Sequence, residues 1–359
     1  MRTVREDRPR PSAGIRAERA LRLLARLRAN PLARLALLLV VLAFCGYGLA
    51  VEWSGVQAAL DRVSWYAIAG SVAAAMAGAW AMMMAWRALL ADLGSPLPVL
   101  ATTRITFVSQ LGKYVPGAVW SFAGHVELGY DHEVPRLRGA ASVVMALGVA
   151  IALGLALAAA GLPLASAEVA RHYLWMLAAI PVLAACLCPP ILGWLTDRLL
   201  GLMRMQPLER RLSWRGLAVA LGWSAVGWLL LGLQVWVLLD SVTGRGTSVL
   251  LLAIAGYALA CSAALVLVIF PNGIGPREVI LIAALAPVLD RPAALALALL
   301  ARLATTISDL AWGMIGLLIG RRALGRAAGG RHAAGRPAPA AATSDPAGTA
   351  AVAPVRGLP

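Results

Sequence analysis

The sequence predicts an all-α, polytopic helical membrane protein, and three observations lead to that prediction. Of the 359 residues, 60% are hydrophobic and only 14% are charged, and the mean hydropathy is +0.78. The apolar residues form runs of roughly 20, the length at which a helix crosses the hydrocarbon core of a bilayer. The charged residues lie mostly between these runs. A soluble globule could not cover so much apolar surface with the polar residues available.

Seven apolar runs predict transmembrane spans. They extend from Leu35 to Val51, Trp65 to Leu90, Gly139 to Gly161, Tyr173 to Leu195, Leu217 to Leu239, Val249 to Phe270 and Ala293 to Gly320. Two further apolar segments, 102–122 and 276–289, are interrupted by polar residues, glycine and proline. Counting 276–289 as a crossing and 102–122 as a re-entrant hairpin predicts about eight transmembrane helices, with one or two re-entrant or broken segments.

Arginines mark the ends of the apolar region. They concentrate in residues 2–28, in 198–215 and in 321–336. Because basic residues accumulate on the cytoplasmic side of membrane proteins, these three segments are expected to be cytoplasmic. The sequence therefore predicts a multi-pass protein of the inner (plasma) membrane with both termini in the cytoplasm. The net charge of +15 comes largely from these arginines at the edges of the membrane region, so it does not point to nucleic acid.

Composition divides the chain into three parts. Residues 1–32 form a basic cytoplasmic segment, which reads either as a short amphipathic helix on the anionic inner leaflet or as a disordered tail. Residues 33–320 form the transmembrane domain. Residues 321–359 consist largely of Ala, Gly, Pro and Arg and have almost no large apolar side chain, which predicts a disordered cytoplasmic tail.

The first broken segment contains Lys113, the single lysine in a chain rich in arginine. An ionisable residue at membrane depth is costly and is therefore a functional candidate. A lysine ammonium is a compact point charge, whereas an arginine guanidinium is a flat fork of five donors. The lone lysine arises either by chance or because this position requires an ammonium. The segment also supplies Tyr114, Pro116, Gly117 and Trp120 as candidates.

The second broken segment runs through glycines and proline into a charged pair. Its candidate residues are Asn272, Gly273, Gly275, Arg277 and Glu278. A proline at position 276 suits the first turn of a helix, whose free amides beside a cation form a natural anion site. Gly/Pro-interrupted segments in two halves of a transporter point to its substrate site. The alternative is that both segments are kinks that let the helices pack.

Two opposite charges lie inside the last predicted span. Arg302 and Asp309 are seven residues apart, which places them on one helix face and about 10.5 Å apart along the axis. Such charges are tolerated when they face the interior of the protein or pair with another segment. Glu278 and Lys113 are the candidate partners.

Motifs of soluble enzymes are not found in the sequence. It has no phosphate-binding glycine loop, no Gly-x-Ser-x-Gly elbow, no His-Glu-x-x-His and no ATP-binding motif, and its histidines have no metal-ligand spacing. The four cysteines lie in predicted spans, where cysteine packs as a small apolar residue. We therefore predict no catalytic residue, no metal and no cofactor.

At the two broken segments the chain resembles a known family. Leu111 to Trp120 is similar to the "GKYIPG…W" segment, and Pro271 to Glu278 to the "PGGIGxRE" segment, of the flippase-like transmembrane domain of lysylphosphatidylglycerol synthases. The resemblance covers roughly residues 35–320. It departs from the pattern at Asn272, which replaces a glycine, and by Pro276 between Gly275 and Arg277. Because 321–359 is too short for the aminoacyl-transferase domain of those synthases, the resemblance implies the translocating part alone.

The resemblance implies a membrane lipid translocase for a lipid with an anionic or polar headgroup. Lys113, Arg277 and Arg302 would receive the phosphate, and Glu278 and Asp309 would hold these cations when the site is empty. Transport would be downhill, ion-coupled or dependent on a partner. The expected partners are membrane lipids and a lipid-modifying enzyme. Two alternatives stay open: a membrane transferase that uses a lipid-linked donor, and a non-catalytic partner of an envelope-synthesis enzyme.

Overall fold

A computed structural model describes residues 53–114, 119–165, 174–202, 205, 206, 208, 210–266 and 275–334. In these ranges the secondary structure consists of eleven α-helices and short 3-10 turns, without a strand. The predicted first span, 35–51, the basic segment 1–32 and residues 335–359 lie outside the described residues.

The helices follow one another along the chain with short connections. They are α1 (Trp53–Leu60), α2 (Trp65–Asp92), α3 (Val99–Leu111), α4 (Val119–Tyr130), α5 (Arg136–Ala165), α6 (Ile180–Cys186), α7 (Pro189–Leu202), α8 (Trp214–Thr243), α9 (Leu250–Val266), α10 (Pro276–Leu285) and α11 (Arg291–Ala334).

Five helical stretches in the described residues are long and apolar enough to cross a membrane. They are α2, α5, α8, α9 with the 3-10 turn before it, and α11 up to Arg321. Each coincides with a predicted span because a run of apolar residues long enough to cross the bilayer has to form a helix there to satisfy its backbone. The prediction of a polytopic helical membrane protein is confirmed.

The predicted span from Tyr173 to Leu195 is not one straight helix. The 3-10 turn Leu174–Ala179 and α6 run to Cys186, and α7 begins at Pro189 at an angle of 79°. Pro189 and Pro190 explain the break, because proline donates no backbone hydrogen bond and disfavours helical backbone in the residue before it. This pair counts as one bent span or as a re-entrant loop.

The segment 276–289 contains a short helix, α10, of ten residues, which gives a length of about 15 Å against a hydrocarbon core of about 30 Å. Residues 267–274, directly before it, lie outside the described ranges, so the predicted crossing at this segment stays a prediction. The described residues hold five spans, or six if the bent pair is counted.

The last helix continues beyond the predicted membrane boundary. The described residues up to Leu317 belong to one compact unit, and those from Leu318 belong to a second one. Within the second unit the chain remains helical as far as Ala334, although a disordered tail was predicted from residue 321. The alanines and arginines of this stretch are strong helix formers, which explains a helix that has few large apolar side chains.

The indole groups of the buried Trp86 and the half-buried Trp312 connect helices. Trp86 on α2 donates to Ser142 Oγ on α5 over 2.9 Å, and Trp312 on α11 donates to the Met76 carbonyl on α2 over 3.0 Å. The Trp312 ring also stacks on Phe107 of α3, with 4.6 Å between centroids. A buried indole N–H needs an acceptor, so these bonds select one arrangement of α11 against α2 and α3.

Helices α8 and α9 pack closely at a glycine. A Cβ atom on Gly232 would lie 2.5 Å from the Cα atom of Ile254 on α9, so no larger residue fits without a backbone shift. Such small residues let membrane helices approach each other. Gly222, on the same helix, would meet no atom within 4 Å.

We expect Gly232→Ala to destabilise the protein by about 1–3 kcal/mol, because the added methyl group forces α8 and α9 apart. The matched variant Gly222→Ala should be neutral or slightly stabilising, since alanine is the better helix former. The measurement is the midpoint of thermal unfolding in detergent. Equal midpoints for the two variants would contradict the close packing at Gly232.

Candidate functional site

The first broken segment forms a tight helical hairpin of α3 and α4. A Cβ atom on Gly112 would lie 3.0 Å from the backbone nitrogen of Ser121, and one on Gly124 would lie 3.1 Å from the Cβ of Ser109. Glycines therefore permit the two short helices to touch. At the end of α3 the backbone tightens into the 3-10 turn Gly112–Tyr114, which contains Lys113.

Lys113 forms an ion pair with Asp309 of α11. Its Nζ lies 2.5 Å from Asp309 Oδ2 and 3.4 Å from Gln110 Oε1. The Tyr114 hydroxyl donates to the same Oδ2 over 2.8 Å. The Asp309 side chain is only 10% exposed, against 27% for Lys113. One buried carboxylate therefore ties the end of α3 to α11.

The second broken segment leads into α10 through a glycine with left-handed backbone. Gly275 has φ +98°, a conformation that side chains other than hydrogen rarely allow. Pro276 is the first residue of α10, which confirms the predicted helix start. Glu278 Oε2 accepts a hydrogen bond from the Gly275 N–H over 2.8 Å and so caps the helix.

The other oxygen of Glu278 holds the second charge of α11. Arg302 Nη1 donates to Glu278 Oε1 over 3.1 Å, and both side chains are largely buried. Of the two candidate partners that the sequence offered for the charges of α11, Glu278 therefore takes Arg302 and Lys113 takes Asp309. The same face of α11 binds both broken segments.

Arg277 is held differently from the other two cations. Its Nη2 donates to the hydroxyl of Tyr257 on α9, and its guanidinium lies 4.9 Å from the centroid of the Tyr257 ring. Among the described residues, no carboxylate forms an ion pair with Arg277. Within the described ranges the acceptor of its hydrogen bond is a neutral hydroxyl, and a guanidinium has five N–H donors.

Tyr257 is a site residue that the sequence analysis missed. It is 1% exposed and lies in the middle of α9. The sequence did contain a hint of its role. Tyrosines of membrane helices are enriched at the two membrane interfaces, whereas Tyr257 stands at the centre of a predicted span. Its position 20 residues before Arg277 gave no reason to connect the two.

Helix α11 contacts both broken segments. Lys113 of the first segment pairs with Asp309, and Glu278 of the second pairs with Arg302, seven residues away on the same face of α11. The sequence left open whether these segments approach each other, because they are separated by about 160 residues along the chain. In the structure α11 brings them together.

The remaining candidate residues are less closely defined. Trp120 lies in the first turn of α4 with its side chain 57% exposed, and its backbone faces Gly112. Four of the predicted site residues lie outside the described residues: Pro116, Gly117, Asn272 and Gly273. Within the described ranges, no group of three or more His, Cys, Asp or Glu side chains is arranged to hold a metal ion.

Comparison with known proteins identifies the family. The family model of the lysylphosphatidylglycerol synthase TM region matches residues 32–313 of the 359. This range includes Lys113, Arg277, Glu278, Arg302 and Asp309. A comparison with curated proteins gives no match. Because the family model covers well over half of the chain, this multi-pass membrane protein belongs to the family of the lysylphosphatidylglycerol synthase TM region.

Proposed function

We propose that the protein is a lipid translocase of the plasma membrane, with both termini in the cytoplasm, that handles a lipid with an anionic or polar headgroup. The observation that carries the proposal is the attachment of both broken segments to one face of α11, through the ion pairs Lys113–Asp309 and Glu278–Arg302. Arg277, next to Glu278, adds a third cation. Ionisable groups at membrane depth are costly, and they commonly mark the path of a substrate.

The donors of the site suit a phosphate group. Arginine binds phosphate through parallel N–H donors, and lysine binds it as a point charge. Arg277 has a tyrosine hydroxyl and ring as its contacts and no carboxylate among the described residues. The phosphate of a lipid headgroup is therefore expected to bind Arg277 first.

While the site is empty, the two carboxylates pair with the cations that would otherwise bind the phosphate. Asp309 holds Lys113, and Glu278 holds Arg302, in partly buried ion pairs. A buried cation without a partner costs several kcal/mol, so these pairs lower the cost of the empty state. When a headgroup enters, its phosphate oxygens can replace carboxylate oxygens as the acceptors, and the cations remain paired throughout.

Irregular backbone lies beside the charged residues of the site. The 3-10 turn at Gly112–Tyr114 and the left-handed Gly275 replace regular helix at the two points nearest the charges. Such backbone is tolerated at membrane depth where it lines a polar cavity. Broken helices of this kind form the substrate sites of many transporters.

The carboxylates fit a translocase better than a transferase. A transferase that uses a lipid-linked donor would need a carboxylate that is available as a base. Glu278 uses one oxygen for Arg302 and the other for the Gly275 N–H. Asp309 Oδ2 is occupied by Lys113 and Tyr114. Glu278 is therefore engaged through both oxygens, and Asp309 through Oδ2.

We expect Lys113→Ala and Arg277→Ala each to slow the movement of phosphatidylglycerol between leaflets by about tenfold or more, which corresponds to about 1.4 kcal/mol of lost stabilisation. Each variant removes a phosphate donor from the site. The measurement uses proteoliposomes that contain phosphatidylglycerol labelled on an acyl chain, so that the headgroup stays free, and follows the label that becomes accessible to an external quencher.

Arg136→Ala is the matched control for these variants. Arg136 pairs with Glu127 on the surface, with Nη2 2.8 Å from Oε2, and holds the pKa of that carboxyl below its usual range. An exposed pair contributes little to stability, so this variant loses a cation without changing transport. Unchanged transport by both Lys113→Ala and Arg277→Ala, in well-folded protein, would show that the site does not carry the lipid.

Tyr257→Phe should also reduce transport, by a smaller factor of roughly three to ten, because the variant loses one hydrogen bond, with a net contribution of about 0.5–1.5 kcal/mol, and the ring under Arg277 remains. Tyr66→Phe is the control, since Tyr66 is 70% exposed and its ring stacks on Trp65 in either case. The same proteoliposome assay compares the two. Equal rates for Tyr257→Phe and the intact protein would remove Tyr257 from the site.

A further inference from the structure

The charges of the site do not cancel. Lys113 and Asp309 together carry no net charge, whichever of the two holds the shared proton, because they are one cation and one carboxylate in contact. Arg302 and Glu278 form a second neutral pair. Arg277 contacts a tyrosine, which is neutral, and a guanidinium stays protonated in proteins. The site as a whole therefore carries one positive charge.

The undescribed parts of the two broken segments do not alter this sum. Residues 115–118 are Val, Pro, Gly and Ala, and residues 267–274 contain no ionisable side chain. The predicted first span, 35–51, has no Asp, Glu, Lys or Arg either. Arg104 lies nine residues before Lys113, which places it about 13 Å away along α3 and outside the site.

We infer that the site selects lipids whose headgroup carries one net negative charge, the charge of a phosphodiester, over zwitterionic and doubly charged headgroups. The inference rests on the proposed function and names its substrate class. A monoanion makes the occupied site neutral. A zwitterion would leave one positive charge and a dianion one negative charge in a medium where an uncompensated charge is costly.

The test compares three lipids with the intact protein. They are phosphatidylglycerol with one negative charge, phosphatidylcholine with none, and phosphatidic acid, a phosphomonoester with about −1.5 to −2 near pH 7. Transport is measured in proteoliposomes, and binding is measured separately by native mass spectrometry in detergent. We expect phosphatidylglycerol to be preferred in both by about tenfold, which corresponds to about 1.4 kcal/mol.

Two variants change the net charge in opposite directions. Arg277→Gln lowers it to zero and should move the preference towards phosphatidylcholine. Glu278→Gln raises it to two, because Arg302 stays protonated, and should move the preference towards phosphatidic acid; the glutamine amide oxygen can still cap α10. The double variant Arg277→Gln/Glu278→Gln restores a single positive charge through Arg302, and the preference should return to phosphatidylglycerol.

The outcomes separate this inference from the proposed function. Equal transport of all three lipids by the intact protein overturns the charge inference and leaves the translocase in place. Preferential binding of phosphatidylglycerol without transport supports the inference and overturns the translocase. Neither binding nor transport overturns both. An unchanged lipid preference in the two single variants overturns the inference as well.

A soluble phosphodiester tests whether the ligand is a lipid. Dimethyl phosphate has the same charge and the same phosphate chemistry as phosphatidylglycerol but no acyl chains. We expect it to bind more weakly than the lipid, because the apolar helices around the site contribute only to binding of acyl chains. Tighter binding of dimethyl phosphate would assign the site to a free phosphodiester and overturn the lipid assignment.

Discussion

The placement of two charges on one face of α11 organises the site. Asp309 binds Lys113 just after α3, and Arg302 binds the start of α10; the two residues are seven positions apart on the same face of α11. Charges inside a membrane protein need partners, and here each partner comes from a segment whose helix is interrupted. The need to pair these charges therefore draws the two broken segments to the same helix. The buried Gln234 of α8 adds a bond of 2.7 Å to the carbonyl of Ala301, beside Arg302.

The regular helices and the irregular backbone contribute differently to the site. The long helices provide a fixed frame: Trp312 joins α11 to α2 by a hydrogen bond and to α3 by stacking on Phe107. The 3-10 turn at Lys113 and the left-handed Gly275 interrupt the helices where the charges lie. A rigid frame around irregular backbone holds side chains in place and still leaves polar groups open to a ligand.

The sequence predicted those parts of the fold that depend on a single segment. Apolar runs of sufficient length identified the long helices, and the preference of proline for a first turn located the start of α10 at Pro276. The choice between partners for Arg302 and Asp309 could not be predicted, because it depends on which helices are neighbours. Tyr257 was missed for the same reason, since its role appears only when α9 and α10 pack together.

The most direct test of the central claim is photo-crosslinking with a phosphatidylglycerol that carries a diazirine beside its phosphate, followed by residue-level mapping of the adducts. The account predicts adducts on the site, at Lys113, Tyr114, Tyr257 or residues 275–278, and their loss when unlabelled phosphatidylglycerol is added in excess. Adducts confined to the exposed outer face of α11, at residues such as Leu303 and Leu310, would show that the headgroup does not enter between the two broken segments.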